Sequence, residues 1–260
     1  MTAPLVFITG ASSGIGQALA ARFAHDGWRL ALVARRAAEM QAWATAQGLG
    51  PERVGIYGAD VSNIATAVQA GQECIARQGL PDVVIAAAGV SIGMDTAERD
   101  DLDVMHDTLA LNLTGTAATF HPFVKAMRER GSGRLVGIGS VAWVRGLPGH
   151  GAYCASKSGV VAYCESLRGE CRGSGVRVVT LVPGWIATPL TAKNPYRMPF
   201  LMAPEAFADR AFAAILAGSS YRVIPWQMGL VAKLLRVLPN ALFDRLLAGK
   251  GRKPRRGAGA

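Results

Sequence analysis

The sequence has few of the residues that hold metals or disulfides. Its 260 residues include four cysteines and four histidines, and no two cysteines have the C-x-x-C spacing of a metal or redox motif. A structural zinc site needs four closely spaced Cys or His ligands. We therefore expect no metal site, and four cysteines that stay reduced and packed in the interior.

Long apolar segments are also missing. No run of 18 apolar residues is free of charge, so a membrane-spanning helix is not expected. The first ten residues, MTAPLVFITG, lack the basic region of a secretory signal. We expect a cytoplasmic protein. Half of the residues are hydrophobic, which suits one large α/β domain or at most two small ones.

Acidic residues are scarce near the C-terminus. Nine basic residues and one acid lie between Tyr221 and Ala260, so this segment carries +8 of the net charge of +10. The remaining 220 residues are nearly neutral. A basic core typical of nucleic-acid-binding proteins is therefore not indicated, and we expect no nucleic-acid partner.

Short apolar runs alternate with segments of helical periodicity along most of the chain. Six runs have the character of buried strands: LVFITG, RLALVAR, RVGIYGAD, DVVIAAAG, RLVGIGS and VRVVTLVPG. The segments between them predict helices, including a long one near 102–130 and one that carries Tyr153 and extends to about Gly173. This alternation predicts an α/β fold with a doubly wound parallel sheet of about seven strands and helices on both faces.

The first strand is followed by the glycine-rich turn TGASSGIG, residues 9–16. Gly10 allows a tight turn, Gly14 lets a phosphate approach the backbone, and Gly16 lets the helix pack closely on the sheet. No lysine follows the last glycine, so this is not a nucleoside-triphosphate loop. Its place between the first strand and the first helix favours dinucleotide binding over a plain turn. We assign the cofactor-facing positions to Gly10, Ser12, Ser13, Gly14 and Ile15.

The end of the second strand bears on which dinucleotide binds. NAD sites commonly place an acid there to bind the ribose hydroxyl, whereas this chain has Arg35 and Arg36. Two guanidiniums can pair with a 2′-phosphate, so we expect NADP(H), with NAD(H) possible, although both arginines could simply be solvated. Asp60, with Val61 beside it, could accept from the adenine amino group or cap a helix.

The chain resembles the short-chain dehydrogenase/reductase family. The glycine turn, Asn112, Ser140, YCASK (153–157) and PGWIAT (183–188) occur in the order and approximate spacing of that family. The likeness covers about residues 4–188. It implies a Rossmann-type sheet, a nicotinamide cofactor and hydride transfer to or from a carbonyl carbon, with a small carbonyl or alcohol as substrate.

The resemblance assigns roles to four residues. Tyr153 would be the general acid or base, and Lys157, four residues away on one helical face, would lower its pKa and bind the nicotinamide ribose. Ser140 would donate to the substrate oxygen. Asn112 would hold a water that relays protons to Lys157, or else bond neighbouring backbone.

The resemblance also assigns cofactor contacts. After the fourth strand, Ala87 and Gly89 would face the cofactor, and relatives usually have asparagine where Ala87 stands, so we expect altered local stability there rather than lost binding. Relatives are often dimers or tetramers, so a homodimer or homotetramer is expected. The contacts to the nicotinamide carboxamide would come from Pro183, Gly184, Ile186 and Thr188.

Substrate choice is expected from residues 189–210 and from Trp143. The apolar residues Met198, Phe200, Leu201 and Met202 make this segment a candidate lid, which indicates a hydrophobic substrate, although they could also pack on the body or on a partner subunit. No arginine is obviously placed to bind a substrate carboxylate, although Lys193 and Arg197 are nearby.

The catalytic domain is predicted to cover residues 1–225 and to be followed by amphipathic helices at 226–249 and a disordered basic tail at 250–260. The helices could close the substrate pocket or form a subunit interface. They could also bind an anionic membrane peripherally, since basic residues alternate with apolar ones; the protein would then lie at the inner face of the membrane.

We therefore expect NADPH-dependent reduction of a hydrophobic ketone or aldehyde, or the reverse oxidation of an alcohol. The alternative is a non-catalytic NADP-binding sensor or scaffold protein that associates with a membrane through its basic tail.

Overall fold

A single parallel sheet of seven strands forms the centre of the fold, in the order β3-β2-β1-β4-β5-β6-β7. The computed structural model describes residues 3–192, 194–249 and 251–257. The strands are β1 (Leu5–Thr9), β2 (Arg29–Ala34), β3 (Val54–Gly58), β4 (Val83–Ala86), β5 (Gly133–Ile138), β6 (Val176–Pro183) and β7 (Tyr221–Ile224). The predicted parallel sheet is confirmed. The seventh strand was not among the six apolar runs, because it is a short edge strand whose first two residues are exposed.

Helices connect the strands and cover both faces. They are α1 (Gly14–His25), α2 (Ala37–Ala46), α3 (Ile64–Gln78), α4 (Asp101–Leu109), α5 (Gly115–Arg130), α6 (Gly151–Glu170), α7 (Pro204–Leu216), α8 (Trp226–Val237) and α9 (Asn240–Leu247). Of the residues named above, Lys193, Lys250 and the outermost residues of both termini lie outside the described ranges.

Alternation of side chains along the strands produces two cores, one on each face of the sheet. Val6 and Ile8 of β1 join one cluster with α1, α2 and α7, and Leu5 and Phe7 join the other with α3, α5 and α6. Phe7 packs on Phe123 of α5 with ring centroids 4.8 Å apart. Because both faces are buried, the strands are apolar throughout, as a doubly wound sheet requires.

The chain reverses its direction of winding between β1 and β4. From β1 the strand order runs outward through β2 to β3, and the chain then returns to add β4 on the other side. Loops that follow β1 and β4 therefore diverge at the carboxyl edge of the sheet. A crevice at such a switch point is where open α/β sheets bind ligands.

The long helix predicted near 102–130 is interrupted. A π-helical turn at Ala110–Thr114 separates α4 from α5. Asn112 sits in this turn with its side chain fully buried, bonded to the backbone of Val90. Gly115 follows at a place where a Cβ would lie 2.7 Å from the carbonyl oxygen of Val61. The extra residue in the turn lets Asn112 point inward, a function that π-turns often have at ligand sites.

The C-terminal segment packs on the body. Pro239 separates α8 from α9, as predicted, and residues 251–257 then run along the loop before α4. The amide of Gly93 donates to Pro254 at 3.0 Å, and the Arg255 guanidinium donates to Asp101 at 2.6 Å. The sequence led us to expect a disordered tail here. The described part is ordered instead, because its arginines find carboxylates on the body and its backbone pairs with a loop.

One face of α8 remains exposed. Trp226, Leu230, Leu234 and Val237 recur at helical spacing and are 59–75% exposed. We call these four residues the α8 outer row. No helix in the described ranges is long and apolar enough to cross a membrane.

Candidate active site

A cavity of about 550 Å³ opens at the switch point and extends toward the C-terminal helices. Most of the residues predicted for the site line it. They are Gly10, Ser13, Gly14, Ile15, Arg35, Asp60, Val61, Ala87, Gly89, Ser140, Tyr153, Lys157, Pro183, Gly184, Ile186 and Thr188. The other three, Ser12, Arg36 and Asn112, are not among the lining residues. The fold thus brings together residues from six loops that are far apart in sequence.

The glycine turn leaves room for a ligand against bare backbone. Gly10 and Gly14 adopt left-handed conformations, with φ of 69° and 56°, which side chains other than glycine rarely accept. A Cβ on Gly10 would lie 2.7 Å from the Ala88 backbone, and one on Gly16 would lie 2.3 Å from the Gly10 carbonyl oxygen. Amides at the start of α1 then face the cavity, so the turn fits the pyrophosphate of a dinucleotide.

Cations stand at the far end of the crevice, beside β2. The Arg35 guanidinium lies 3.9 Å from the Asp60 carboxylate, and Arg36 donates to the Ser12 hydroxyl at 3.1 Å. Arg36 also pairs with Glu39 at 3.1 Å. Burial acts to raise the pKa of Asp60, but two hydrogen bonds from Ser62 and the Arg35 charge outweigh it and hold that pKa below its ordinary value. Asp60 therefore stays ionised as an acceptor.

Ser140, Tyr153 and Lys157 meet in the middle of the cavity. Ser140 lies in the loop after β5, its Oγ accepts from the Ala142 amide at 3.2 Å, and its hydroxyl also hydrogen-bonds the Tyr153 phenol. Lys157 Nζ donates to the Ile138 carbonyl at 2.8 Å and lies 5.9 Å from the Tyr153 ring centroid. Their approach follows from the pairing of β5 with β6 and from α6, which packs over both.

Burial sets the acidity of the central pair. It raises the pKa of the Tyr153 phenol, and a hydrogen bond from Ser140 offsets only part of that rise. Burial also lowers the pKa of Lys157 to about 8. In the protein without a cofactor, the Tyr153 pKa is therefore above its ordinary value, whereas the sequence led us to expect that Lys157 lowers it. The phenol is protonated at neutral pH, which is the form that can donate a proton.

The side chain of Asn112 braces the loop after β4. Its Oδ1 accepts from the Val90 amide at 2.8 Å, and its Nδ2 donates to the Val90 carbonyl and to Ser156 Oγ. These bonds are the ones expected from the backbone-bonding alternative. A Cβ on Gly89 would lie 3.2 Å from Asn112 Oδ1 and 3.6 Å from Lys157 Nζ. Asn112 therefore shapes the wall beside Lys157.

The predicted lid segment lines part of the cavity, but not through the four apolar residues that were singled out in it. Its lining residues are Pro189, Leu190, Thr191, Asn194, Tyr196, Arg197 and Pro199. Phe200 and Leu201 are about half exposed, and Met202 is tied to the loop after β6 by backbone bonds with Trp185 and Ala187. None of these three residues, nor Met198, lines the cavity in the described chain. Trp143 also lies outside it and donates to the Tyr221 hydroxyl at 2.9 Å. Substrate contact through Met198, Phe200, Leu201 and Met202 therefore stays a prediction.

The C-terminal helices supply the apolar wall that the lid was expected to provide. The wall residues are Met228, Val231, Ala232, Leu235, Phe243, Leu246 and Leu247. Arg145, in the loop after β5, holds the two helices by donating to the Leu235 and Leu238 carbonyls at 2.6 Å and to Asn240. Its guanidinium also lies over the Phe243 ring, 3.9 Å from the centroid. The amphipathic spacing in the sequence was the signal for these helices, but it does not indicate which surface they cover.

A polar corner of the cavity was missed by sequence reasoning. Nδ1 of His150 lies 3.1 Å from the Pro148 carbonyl and must donate to it, so Nε2 accepts from the Tyr196 hydroxyl at 3.0 Å. Burial lowers the pKa of His150, which agrees with a neutral ring, and raises that of Tyr196 to about 12. Lys253 enters the same corner from the C-terminal segment. Nothing in the local sequence pairs these three residues.

The chain is similar to known proteins over most of its length. A family model described as short chain dehydrogenase matches residues 4–198. A protein of Myxococcus xanthus described as an uncharacterized oxidoreductase is 38% identical and aligns over 91% of this chain and 93% of its own. The D-threitol dehydrogenase of Mycolicibacterium smegmatis is 37% identical over 73% of this chain and 72% of its own. Among solved structures, a short-chain dehydrogenase from Sphingobium yanoikuyae in complex with NADPH superposes with a TM-score of 0.75 at 25% identity, covering 92% of this chain and 97% of the other.

Proposed function

The chain belongs to the short-chain dehydrogenase family, and on that basis we propose that it reduces a hydrophobic ketone or aldehyde with NADPH, or oxidises the corresponding alcohol. The observation that carries this proposal is the meeting of Ser140, Tyr153 and Lys157 in one cavity with the glycine turn. The alternative, a non-catalytic NADP sensor or scaffold, has no support among these relatives, which are described as oxidoreductases and dehydrogenases.

Ser140, Tyr153 and Lys157 would bind the substrate oxygen and transfer a proton to it. Ser140 donates its hydroxyl proton to the substrate oxygen and holds it beside Tyr153, an oxyanion-type contact. Tyr153 then gives its phenolic proton to the same oxygen as the carbonyl is reduced. The Lys157 ammonium, anchored on the Ile138 carbonyl, stabilises the phenolate that remains. A bound nicotinamide supplies the hydride.

Residues at the β2 end support a preference for NADP. A 2′-phosphate placed there would meet Arg35 and Arg36, in competition with the carboxylates of Asp60 and Glu39 that now pair with them. A solved neighbour is a complex with NADPH. Arg36→Ala should weaken NADPH binding with little effect on NADH binding, because NADH lacks the phosphate. An equal loss for both cofactors would contradict the preference.

The substrate is hydrophobic in this proposal because α8 and α9 present an apolar wall to the reaction centre. A series of straight-chain aldehydes of increasing length should show a falling KM as more of the chain reaches that wall. Each additional buried CH₂ is worth about 0.8 kcal/mol, close to a fourfold gain. A KM independent of chain length would exclude this wall as the substrate site.

The decisive test of the activity is Tyr153→Phe, which removes one oxygen and keeps the ring. Loss of the general acid should lower kcat by roughly a hundredfold or more, while NADPH binding followed by fluorescence stays intact. Tyr163→Phe is the matched control, because Tyr163 is on the same helix and stacks on Phe120, away from the cavity. Full activity of Tyr153→Phe would show that the acid is misassigned.

The α8 outer row supports peripheral contact with an anionic membrane as a second property. The exposed cations Lys233 and Arg236 lie on the same helix as the row. We expect co-sedimentation with anionic vesicles at low salt, weakened by high salt and by a Leu230→Ser/Leu234→Ser double variant. If wild type and variant partition equally, the row is instead a candidate for the homo-oligomer interface, which sedimentation equilibrium would detect.

A further inference from the structure

The C-terminal residues 251–257, which we call the C-terminal strap, are held on the body at several points. Arg252 pairs with Asp95 at 3.5 Å, Arg255 with Asp101 at 2.6 Å and Arg256 with Asp107 at 2.7 Å. Asp101 is only 2% exposed, so its contact with Arg255 is an interior one. These contacts flank the middle of the strap and leave residue 253 directed into the protein.

Lys253 is the one strap cation that has no carboxylate partner in the described chain. The residue is 8% exposed, and Nζ donates to the Leu190 carbonyl at 2.9 Å. An ammonium has three protons to donate, so one bond leaves capacity for a ligand. Burial lowers the pKa of Lys253 to about 8, which leaves it largely protonated at neutral pH. A buried cation of this kind is costly unless an anion completes it.

The position of Lys253 is on the substrate side of the cavity. The backbone around it contacts Gly93, which follows the β4 loop, and its charge acts on His150, three residues before Tyr153. Tyr196 joins the same corner through His150. The Arg35 and Asp60 end of the crevice lies across the glycine turn, at the strand ends of β2 and β3.

Charge along the cavity wall is strongly asymmetric. Beyond the glycine turn, three cations line it in addition to Lys157: Arg145, Arg197 and Lys253. Asp60 is the only acid among the described lining residues, and it belongs to the β2 end. Arg145 already donates to Leu235, Leu238 and Asn240 and is engaged in holding α8 and α9, and Arg197 is exposed. Lys253 is therefore the buried cation best placed to meet an anionic group.

We propose that Lys253 binds a carboxylate of the substrate, so that the enzyme acts on an oxo or hydroxy acid whose apolar portion lies on the α8–α9 wall. This inference rests on the proposed reductase function and names the substrate class for it. It also assigns a purpose to the strap, because three ion pairs hold in place the residue that recognises the anion.

Pairs of an acid and its methyl ester distinguish the effect of the carboxylate charge on KM from the effect of molecular shape. One pair is para-carboxybenzaldehyde and its methyl ester, and another is a straight-chain oxo acid and its methyl ester. Wild type should have a lower KM for each acid than for its ester. Lys253→Met should raise the KM for the acids roughly ten- to hundredfold, the range of a charge-assisted hydrogen bond, and leave the KM of the esters unchanged. Lys253→Arg should keep the preference, and Lys125→Met, which removes an exposed lysine of α5 away from the cavity, should not affect it.

Calorimetry with octanoate provides a test that needs no turnover. Octanoate has the anion and the apolar chain but no reducible carbonyl, and its affinity should fall in Lys253→Met. If none of these carbonyl compounds is reduced while octanoate binding still depends on Lys253, the reductase proposal fails and the carboxylate site at Lys253 stands. The inference is overturned if octanoate binds wild type and Lys253→Met with equal affinity. It is also overturned if Lys253→Met raises the KM for acids and esters equally, or if this variant changes only the KM for NADPH.

Discussion

Removal of the Phe243 ring should release α9 from the body without unfolding the domain. Phe243 is 4% exposed and is the only buried residue of this eight-residue helix. Burial of such a ring is worth about 1.5–3 kcal/mol, and the Arg145 guanidinium above it adds roughly 1 kcal/mol. A helix of this length is not stable alone in water. Phe243→Ala should therefore cost about 3 kcal/mol of local docking free energy, a roughly hundredfold rise in the undocked population.

Hydrogen exchange measures that population directly. Amides of residues 240–247 should exchange faster in Phe243→Ala, trypsin should cleave sooner at the exposed Arg245, and the KM for long apolar aldehydes should rise because the wall is lost. Leu242→Ala is the matched control, since Leu242 is 47% exposed on the same helix. Unchanged exchange in α9, or an equal effect of both variants, would refute the idea that Phe243 anchors the wall.

Three further outcomes are expected. Gly10→Ala should weaken NADPH binding and lower Tm, because the φ of 69° at Gly10 and a backbone contact at 2.7 Å both oppose a side chain. Gly48→Ala controls for the backbone conformation alone, since Gly48 has a φ of 65° and open space around it. Equal losses of Tm in the two variants would contradict the argument from close approach. Arg255→Met should speed exchange of the Gly93 amide and weaken the preference for acids; if that amide stays protected, the ion pair does not hold the strap. Since the Lys253 pKa is about 8 and binding needs the protonated form, the KM for the acid relative to its ester should rise as pH increases through about 8; a constant ratio would contradict this, and the ester controls for titration of the catalytic lysine.

Local features of the sequence sufficed for the sheet and for most of the predicted site. Strands buried on both faces are apolar along their whole length, and each was identified by that run alone, except the exposed edge strand β7. The glycine turn was interpretable because its backbone conformation excludes other residues. Ser140, Tyr153 and Lys157 were singled out by their order and spacing, and the fold brings all three to one cavity.

Roles that depend on partners far away in the chain were harder to predict. For Asn112 the sequence left open a water or neighbouring backbone as the partner, and its side chain bonds Val90 and Ser156, 22 and 44 residues away. The apolar residues near 200 were expected to form the lid, but hydrophobicity alone does not say which apolar surface a segment covers. Assignment of the wall to α8 and α9 needed the contacts of Arg145 across about 90 residues.

What the sequence by itself determined is the class of fold, the glycine turn and the candidate residues for the reaction, because these depend on periodicity, spacing and backbone conformation within short windows. Only the tertiary structure decided which helices line the cavity and where Lys253 lies. In the sequence that lysine lies in a low-complexity basic run that resembles a solvated tail. It becomes a buried cation because Arg255 reaches Asp101 across 154 residues, and a contact of that span is formed by the packing of the whole chain rather than by any local pattern.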